Sequence, residues 1–161
     1  QASADGRSDA VGLNAGGANA CTGAQGCADV HQHAEHVAAQ LTAAGRETAP
    51  GDVAVAQTGL IGVLLPMGIV TAGATAALVA ASATGGDAAA EAIRTTDSVS
   101  KTAVAAREGW SVGGMAKGAG MLAPGMATML SVITTDAVIG SATARAASMS
   151  RGEYTRPRII R

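Results

Sequence analysis

The near absence of aromatic side chains is the feature that most constrains how this chain can fold. It contains no Phe, one Trp and one Tyr among 161 residues, although 48% of the residues are hydrophobic. Alanine and the small aliphatic residues bury little area each, so a core built from them requires close approach between backbones. The length suits one domain with a hydrophobic core. We therefore expect one mixed domain of marginal stability on its own.

Charge and cysteine content indicate a chain without a nucleic-acid partner and from a reducing compartment. The formal net charge is −1. Cys21 and Cys27 are the only cysteines, with no second pair at metal-binding spacing, which is typical of the cytoplasm. The alternative is that Cys21 is a nucleophile paired with a histidine. No signal-peptide pattern opens the chain. The C-terminal stretch is basic, and we interpret it as a solvated end; its arginines are Arg145, Arg151, Arg156, Arg158 and Arg161.

An uncharged run extends from Val53 to Gly86. Such a length could cross a bilayer. However, Pro66 and several glycines interrupt it, alanine outnumbers leucine, and no Lys/Arg cluster flanks it. We expect instead a buried strand over Val53 to Gln57, then a Thr-Gly turn, and then a buried, alanine-rich helix.

The rest of the chain predicts alternating strands and helices. Turn residues separate these segments, and Gly45 is a credible stop for the longest helix. The predicted elements are a strand from Ala10 to Asn14 that ends in a glycine-rich turn, a helix from Ala28 to Ala44, a short helix from Asp87 to Arg94, and a hairpin of Lys101 to Arg107 and Trp110 to Met115.

Three histidines crowd on the first predicted helix. His33 and His36 are one turn apart, so they could hold a metal ion, with Cys27 as a neighbour. No second group of ligands follows downstream. We therefore favour a polar helix face, formed by His31, His33, Glu35 and His36, and predict no metal site.

Thr128 follows a lysine and a stretch of small residues. A threonine hydroxyl is a poor nucleophile that needs an adjacent base, and cutting the chain before the threonine frees an α-amine for that role. Pro124, Gly125 and Ala127 offer the tight, unshielded bend that such a cut requires. The alternative, which the local residues alone favour, is that Thr128 opens a buried β-strand.

Five collinear motifs resemble those of the ornithine acetyltransferase family, the bifunctional ArgJ or glutamate N-acetyltransferase proteins. They fall within residues 9 to 139 and are Leu13–Gly23, Gln57–Gly62, Ile93–Asp97, Gly114–Leu130 and Ile133–Ala137. The resemblance implies the α/β fold, a mixed α+β sandwich, of self-cleaving acyltransferases with an N-terminal threonine. It implies a partial α chain over residues 1–127, the start of a β chain over 128–139, and a basic tail without a counterpart over 140–161.

The same resemblance assigns roles to individual residues. It implies cleavage between Ala127 and Thr128, with Thr128 as nucleophile. Thr58 and Gly59 match the oxyanion-hole pair, and a glycine there lets its N–H face a ligand without an intervening Cβ. Substrate-binding positions map onto Thr95, Lys117 and Thr128.

The implied reaction moves an acetyl group from N-acetylornithine to glutamate through an acetyl-threonine ester. The family uses no metal or bound cofactor, and some members accept acetyl-CoA as donor. Its α and β chains stay associated as an α/β heterotetramer, without a nucleic-acid or membrane partner. The alternative from another class is a noncatalytic or membrane-associated Ala/Gly-rich protein that keeps the motifs as a relic.

Overall fold

The computed structural model describes residues 8–119 and 128–149. The predicted bend at Pro124 and Gly125, the first half of the predicted cleavage site at Ala127, and the tail beyond residue 149 lie outside that part. The elements are β1 (Ala10–Gly17), α1 (Gly23–Ala43), β2 (Val53–Leu60), α2 (Met67–Ala80), α3 (Gly86–Ala92), β3 (Lys101–Arg107), β4 (Trp110–Lys117), β5 (Leu130–Thr135) and α4 (Ser141–Met149), with one 3₁₀ turn at Pro50–Asp52.

The described residues form two sheets. β1 and β2 pair in parallel, from Ala10 opposite Val53 to Gly17 opposite Leu60, and α1 makes the crossover between them. Parallel strands need such a crossover because the end of one strand and the start of the next lie at opposite edges of the sheet. The second sheet has the antiparallel order β3-β4-β5. The mixed α/β class that the sequence predicts is confirmed.

Both strands of the parallel pair run further than predicted. The glycine-rich turn after Asn14 and the Thr-Gly turn after Gln57 are wrong, because those residues continue the ladder. Gly16 lies opposite Gly59, and Gly17 lies opposite Leu60. Turn chemistry misled the prediction here: paired backbones at the ends of neighbouring strands satisfy one another, so glycine does not have to end the strand.

Helix α1 covers the parallel sheet with small side chains. Ala34, Val37 and Ala38 form a buried cluster with Val53, and the partly buried side chains that pack around it are Ala10, Leu41, Val55, Ala74 and Leu78. The predicted helix stop at Gly45 is confirmed. Its N–H donates to the carbonyl of Thr42 at 3.0 Å, and the next N–H reaches Leu41. The core therefore consists of small side chains, as the composition predicts.

The prediction that α2 is buried is wrong. None of its residues is fully buried, and Ile69 and Val79 are exposed by 73% and 84%. Ala74 and Leu78 pack against the α1 core, so the helix rests on the core by one narrow stripe. Among the helices of the described residues, none is long and apolar enough to cross a membrane.

The expected polar face of α1 is wrong for His33. Its side chain is 2% exposed and packs over Gly12 of β1, where its Nε2 lies 3.2 Å from the position of a Cβ. Burial lowers the pKa of His33, and the nearby His36 lowers it further. His36 instead reaches the Thr75 hydroxyl of α2 at 2.8 Å. The absence of a side chain at Gly12 makes room for the imidazole.

The antiparallel sheet is more exposed than a core strand would be. Every residue of β3 is exposed, and so are most residues of β5, including Ile133 at 72%. Thr128 does precede a strand, but that strand is not buried. Asp136 closes the sheet at the start of β4, where its carboxylate accepts the N–H and hydroxyl of Ser111.

Among the glycines of the described residues, Gly59 makes the closest approach to another stretch of backbone. Its φ is +130°, and a Cβ would overlap the carbonyl group of Gly16 and lie 2.7 Å from the nitrogen of Gly17. Gly62 also has a positive φ, +81°, but a Cβ there would meet nothing within 4 Å. Both glycines therefore have a positive φ, and they differ in the space around a Cβ.

We predict that Gly59→Ala destabilises the fold more than Gly62→Ala does. The left-handed backbone alone costs an L-residue about 1–2 kcal/mol. The overlap at Gly59 adds about 1–3 kcal/mol, because the two strands must separate. Urea unfolding of both variants measures the difference. Equal losses of unfolding free energy would show that the approach to Gly16 is not tight.

Candidate active site

The C-terminal part of β2 places a buried hydroxyl at the centre of the candidate site. Thr58 is 0% exposed, the most deeply buried polar residue of the described chain. Along β2, Val53 and Val55 pack toward α1, so the alternation of the strand turns Thr58 to the opposite side. There its Oγ1 lies 2.6 Å from the Oγ1 of Thr128.

A backbone donor meets the same oxygen. The N–H of Gly59 donates to Thr128 Oγ1 at 3.1 Å. Thr58 Oγ1 also reaches the main-chain carbonyl of Thr128 at 3.4 Å. Thr128 Oγ1 is thus held by one fixed N–H donor and one rotatable hydroxyl, from two consecutive residues of β2. This is the arrangement in which negative charge on an oxygen is stabilised.

Lys117 ends β4 and reaches the site from the antiparallel sheet. It is 5% exposed, and its Nζ donates to Thr58 Oγ1 at 3.2 Å. Lys117 forms no ion pair among residues 8–119 and 128–149. A hydroxyl that accepts from an ammonium group becomes a better donor to its next partner. The lysine therefore polarises Thr58 toward Thr128.

Thr95 is the predicted site residue that does not join this group. It is exposed in the loop after α3 and, among the described residues, makes no hydrogen bond with Thr58, Lys117 or Thr128. The loop nevertheless runs beside the site, because Asp97 accepts the N–H of Gly118, the residue after Lys117. Thr58, Gly59, Lys117 and Thr128, in contrast, come together from β2, β4 and the approach to β5.

Asp97 is a residue that sequence patterns did not single out. It closes the third motif, and the signal that could have drawn attention to it is Lys101 four positions later, an acid and a base flanking a turn. The carboxylate is 1% exposed and bonded to Lys101. That hydrogen bond is the main cause that lowers the pKa of Asp97, and the Gly118 N–H adds to it against the opposing effect of burial.

The histidines and cysteines do not assemble a metal centre in the part of the chain that the structure describes. No group of three or more His, Cys, Asp or Glu side chains lies at ligand distance there. Cys21 and Cys27 are both exposed and unbridged. The side-chain hydrogen bonds of Thr128 among the described residues are with Thr58 and Gly59.

The chain is similar to proteins of arginine biosynthesis. The model of the ArgJ family matches residues 1–155. The arginine biosynthesis bifunctional protein ArgJ of Streptomyces coelicolor is 61% identical over 128 residues, 80% of this chain and 32% of that protein. The protein of the same name from Thermobifida fusca is 56% identical over 139 residues, 86% of this chain and 35% of that protein. The chain thus spans about a third of the length of these curated relatives.

Two solved structures share the fold. An ornithine acetyltransferase from Mycobacterium tuberculosis in complex with ornithine has a TM-score of 0.67 and 51% identity, over 74% of this chain and 62% of that one. An arginine biosynthesis bifunctional protein ArgJ from Bacillus halodurans has a TM-score of 0.56 and 35% identity, over 73% of this chain and 60% of that one. The family-model match also extends beyond the five motifs, which end by residue 139.

We predict that Lys117→Met does not lower the free energy of unfolding and raises it by about 1 kcal/mol. Replacing a buried charge by an apolar side chain of similar length removes its desolvation cost. Lys101→Met is the matched control and should destabilise, because Lys101 is paired with the buried Asp97. Urea unfolding of the two variants compares them. A large loss of stability in Lys117→Met would show that the lysine serves the fold.

Proposed function

Because this chain belongs to the ArgJ family, we propose that it carries the threonine nucleophile of an acetyltransferase of arginine biosynthesis. In this proposal N-acetylornithine donates the acetyl group and glutamate receives it. The observation that carries the proposal is the pair of contacts from Thr58 and Gly59 to Thr128 Oγ1. A hydroxyl that merely opened a strand would not require two converging contacts and a buried lysine behind them.

The proposed first step is cleavage of the chain before Thr128. Its hydroxyl attacks the carbonyl carbon of Ala127, and the main chain is transferred from the nitrogen of Thr128 to its Oγ. Water then hydrolyses the resulting ester, which frees the Thr128 α-amine and restores the hydroxyl. The freed amine lies on the same residue as the hydroxyl and takes its proton in later turnovers.

The proposed acetyl transfer then takes place on the same oxygen. Thr128 Oγ attacks the acetyl carbonyl of N-acetylornithine, the carbon–nitrogen bond breaks, and ornithine leaves with a proton on its amine. The amine of glutamate attacks the acetyl ester, which yields N-acetylglutamate and restores the threonine hydroxyl. Both substrates therefore use one acetyl-enzyme ester, and the reaction needs only groups of the protein itself.

Thr58 and Gly59 are the proposed oxyanion donors in each of these steps. An acyl carbon bonded to Thr128 Oγ1 carries its anionic oxygen next to that atom, within reach of the donors that now contact it. Donors of this kind lower the barrier by about 3 kcal/mol each in comparable sites. Lys117 keeps the Thr58 hydroxyl polarised while the charge develops.

Substrate contacts are proposed for Lys117 and Thr95. An ammonium group has three donors, so Lys117 can keep its bond to Thr58 and also receive the α-carboxylate of a substrate. Thr95 lies on the loop beside the same end of β4 and would supply a hydroxyl from the solvent side. We further propose that the cleaved chains stay together as an α/β heterotetramer and that the enzyme works in the cytoplasm.

We predict that the purified chain breaks between Ala127 and Thr128. Thr128→Ala should abolish the break, because no hydroxyl is left to attack, whereas Thr128→Ser should retain it at a reduced rate. Intact mass spectrometry over a time course measures the fragments. Thr75→Ala, which alters a hydroxyl on α2 away from Thr128, is the control and should break normally.

A wild-type chain that stays uncut would contradict the proposal and favour a noncatalytic relic that keeps the motifs. A break elsewhere in the chain would contradict the assignment of Thr128.

We predict that Thr58→Val slows N-acetylglutamate formation about 100-fold, the effect of removing one oxyanion donor. The assay supplies N-acetylornithine and glutamate, and follows the product by mass spectrometry. Because the chain spans about a third of its curated relatives, a complete relative with the equivalent change runs beside it. Thr75→Val is the matched control, since it makes the same replacement of a threonine hydroxyl by a methyl group. Equal rates for Thr58→Val and wild type would remove Thr58 from the oxyanion pair.

A further inference from the structure

A clamp of two charged side chains holds the peptide that follows Lys117. Both oxygens of Asp97 accept the N–H of Gly118, at 2.9 and 3.0 Å. Lys101 donates to the carbonyl oxygen of Gly118 at 2.9 Å and also to the Asp97 carboxylate. The donor and the acceptor of one residue are thus both satisfied by one ion pair. We call Asp97 and Lys101 the Gly118 clamp.

The clamp is itself anchored at the end of α3. Arg94 donates to the main-chain carbonyl of Asp97 at 2.9 Å and is bonded to Glu91 on the helix. Lys101, the first residue of β3, lies opposite Ala116 in the sheet. The clamp therefore joins α3, the start of β3 and the end of β4. A single carboxylate, 1% exposed, lies at this junction.

Gly118 lies between two residues of the site. It follows Lys117, whose Nζ reaches Thr58, and it abuts Met129, which follows Thr128. A Cβ at Gly118 would lie 3.2 Å from the Met129 Cβ, and the φ of Gly118 is +149°. The backbone is consequently packed directly against the segment that carries the nucleophile.

We propose that Asp97 and Lys101 are positioning residues, which hold the Gly118 peptide so that Lys117 is aimed at Thr58 and Thr128 stays beside the donors of β2. This role rests on the proposed function of Thr128. Neither residue contacts Thr128 itself. A shift of about 1 Å in a reacting group can cost roughly 100-fold in rate, so a clamp one residue away from Lys117 has leverage on the chemistry.

The Asp97 carboxylate forms its hydrogen bonds with groups other than Lys117. The carboxylate is already bonded to Lys101 and to a main-chain N–H, and Arg94 lies nearby on the same loop. Lys117 forms no ion pair within the described ranges, so its ammonium is left for Thr58.

The test compares the rate of cleavage before Thr128 in the clamp variants and in a matched control. Asp97→Asn keeps the shape of the side chain but removes its charge and turns one acceptor oxygen into a donor. With the remaining oxygen on Lys101, the new NH2 group lies against the N–H of Gly118. We expect cleavage to slow 10- to 100-fold. Asp136→Asn is the control. It alters the carboxylate that accepts a main-chain N–H at the opposite end of β4, and it should cleave at the wild-type rate.

A second pair of variants keeps the test valid if Asp97→Asn fails to fold. Lys101 is 47% exposed, so Lys101→Met should destabilise the chain without unfolding it, which circular dichroism would verify. We expect it to slow cleavage, and Lys101→Arg to restore it, because a guanidinium can bond both the carboxylate and the Gly118 carbonyl. If Lys101 served only the stability of the fold, the cleavage rate of Lys101→Arg would recover only as far as its thermal stability recovers.

The amide of Gly118 supplies a readout that does not depend on cleavage. In uncut Thr128→Ala protein, the amide proton resonance of Gly118 should move as acid protonates Asp97, with a midpoint below the ordinary value of 3.8. Asp97→Asn should abolish that movement. An unmoved resonance in the wild-type clamp would overturn the contact itself.

The possible failures are distinct. A wild-type chain that stays uncut overturns the proposed function and this role with it. A wild-type chain that cleaves, with Asp97→Asn and Lys101→Met cleaving equally fast, leaves the proposed function standing and overturns the clamp.

Discussion

The close parallel pairing of β1 with β2 is the constraint on which the rest of the structure depends. At its end Gly16 faces Gly59, and a Cβ on Gly59 would overlap the backbone of Gly16. This approach brings the Gly59 N–H and the Thr58 hydroxyl to the same edge of the sheet, on the side away from α1. The site is therefore built on paired strands, whose backbone positions are set by ladder hydrogen bonds.

A core of small side chains allows this close approach of backbones, but it leaves little buried apolar volume. Alanine and valine of α1 let the helix lie close to the sheet, and a glycine in β1 admits the ring of His33. The same economy leaves α2 and β3 largely exposed. A backbone that packs closely in one place has little apolar volume left to cover its other faces.

Burial of Lys117 lowers the stability of the fold but places its ammonium group beside Thr58. A buried ammonium without an ion pair among the described residues costs free energy, which the fold bears because the group polarises Thr58. The buried carboxylate of Asp97, in contrast, is bound to Lys101 and to the Gly118 N–H. In our proposal the Asp97–Lys101 pair positions the Gly118 peptide, and the Lys117 ammonium serves Thr58.

The sequence by itself determined the family, the mixed class and most elements, and it pointed to four residues that the structure brings together, Thr58, Gly59, Lys117 and Thr128. Motifs such as Gln57–Gly62 are local, and their residue types are readable without a partner. Helix α1 with its stop at Gly45 and the β3–β4 hairpin follow from periodicity and turn residues. Strand ends were misjudged, because a Thr-Gly pair reads as a turn until β1 is known to lie beside it.

Only the tertiary structure decided which of these residues meet. Thr58 and Thr128 are 70 positions apart, and nothing local relates their hydroxyls. It also showed that His33 is buried, that α2 is not, and that Asp97 holds Gly118. Burial and long-range contact depend on how elements pack against one another, whereas a pattern along the chain records only what each element prefers on its own.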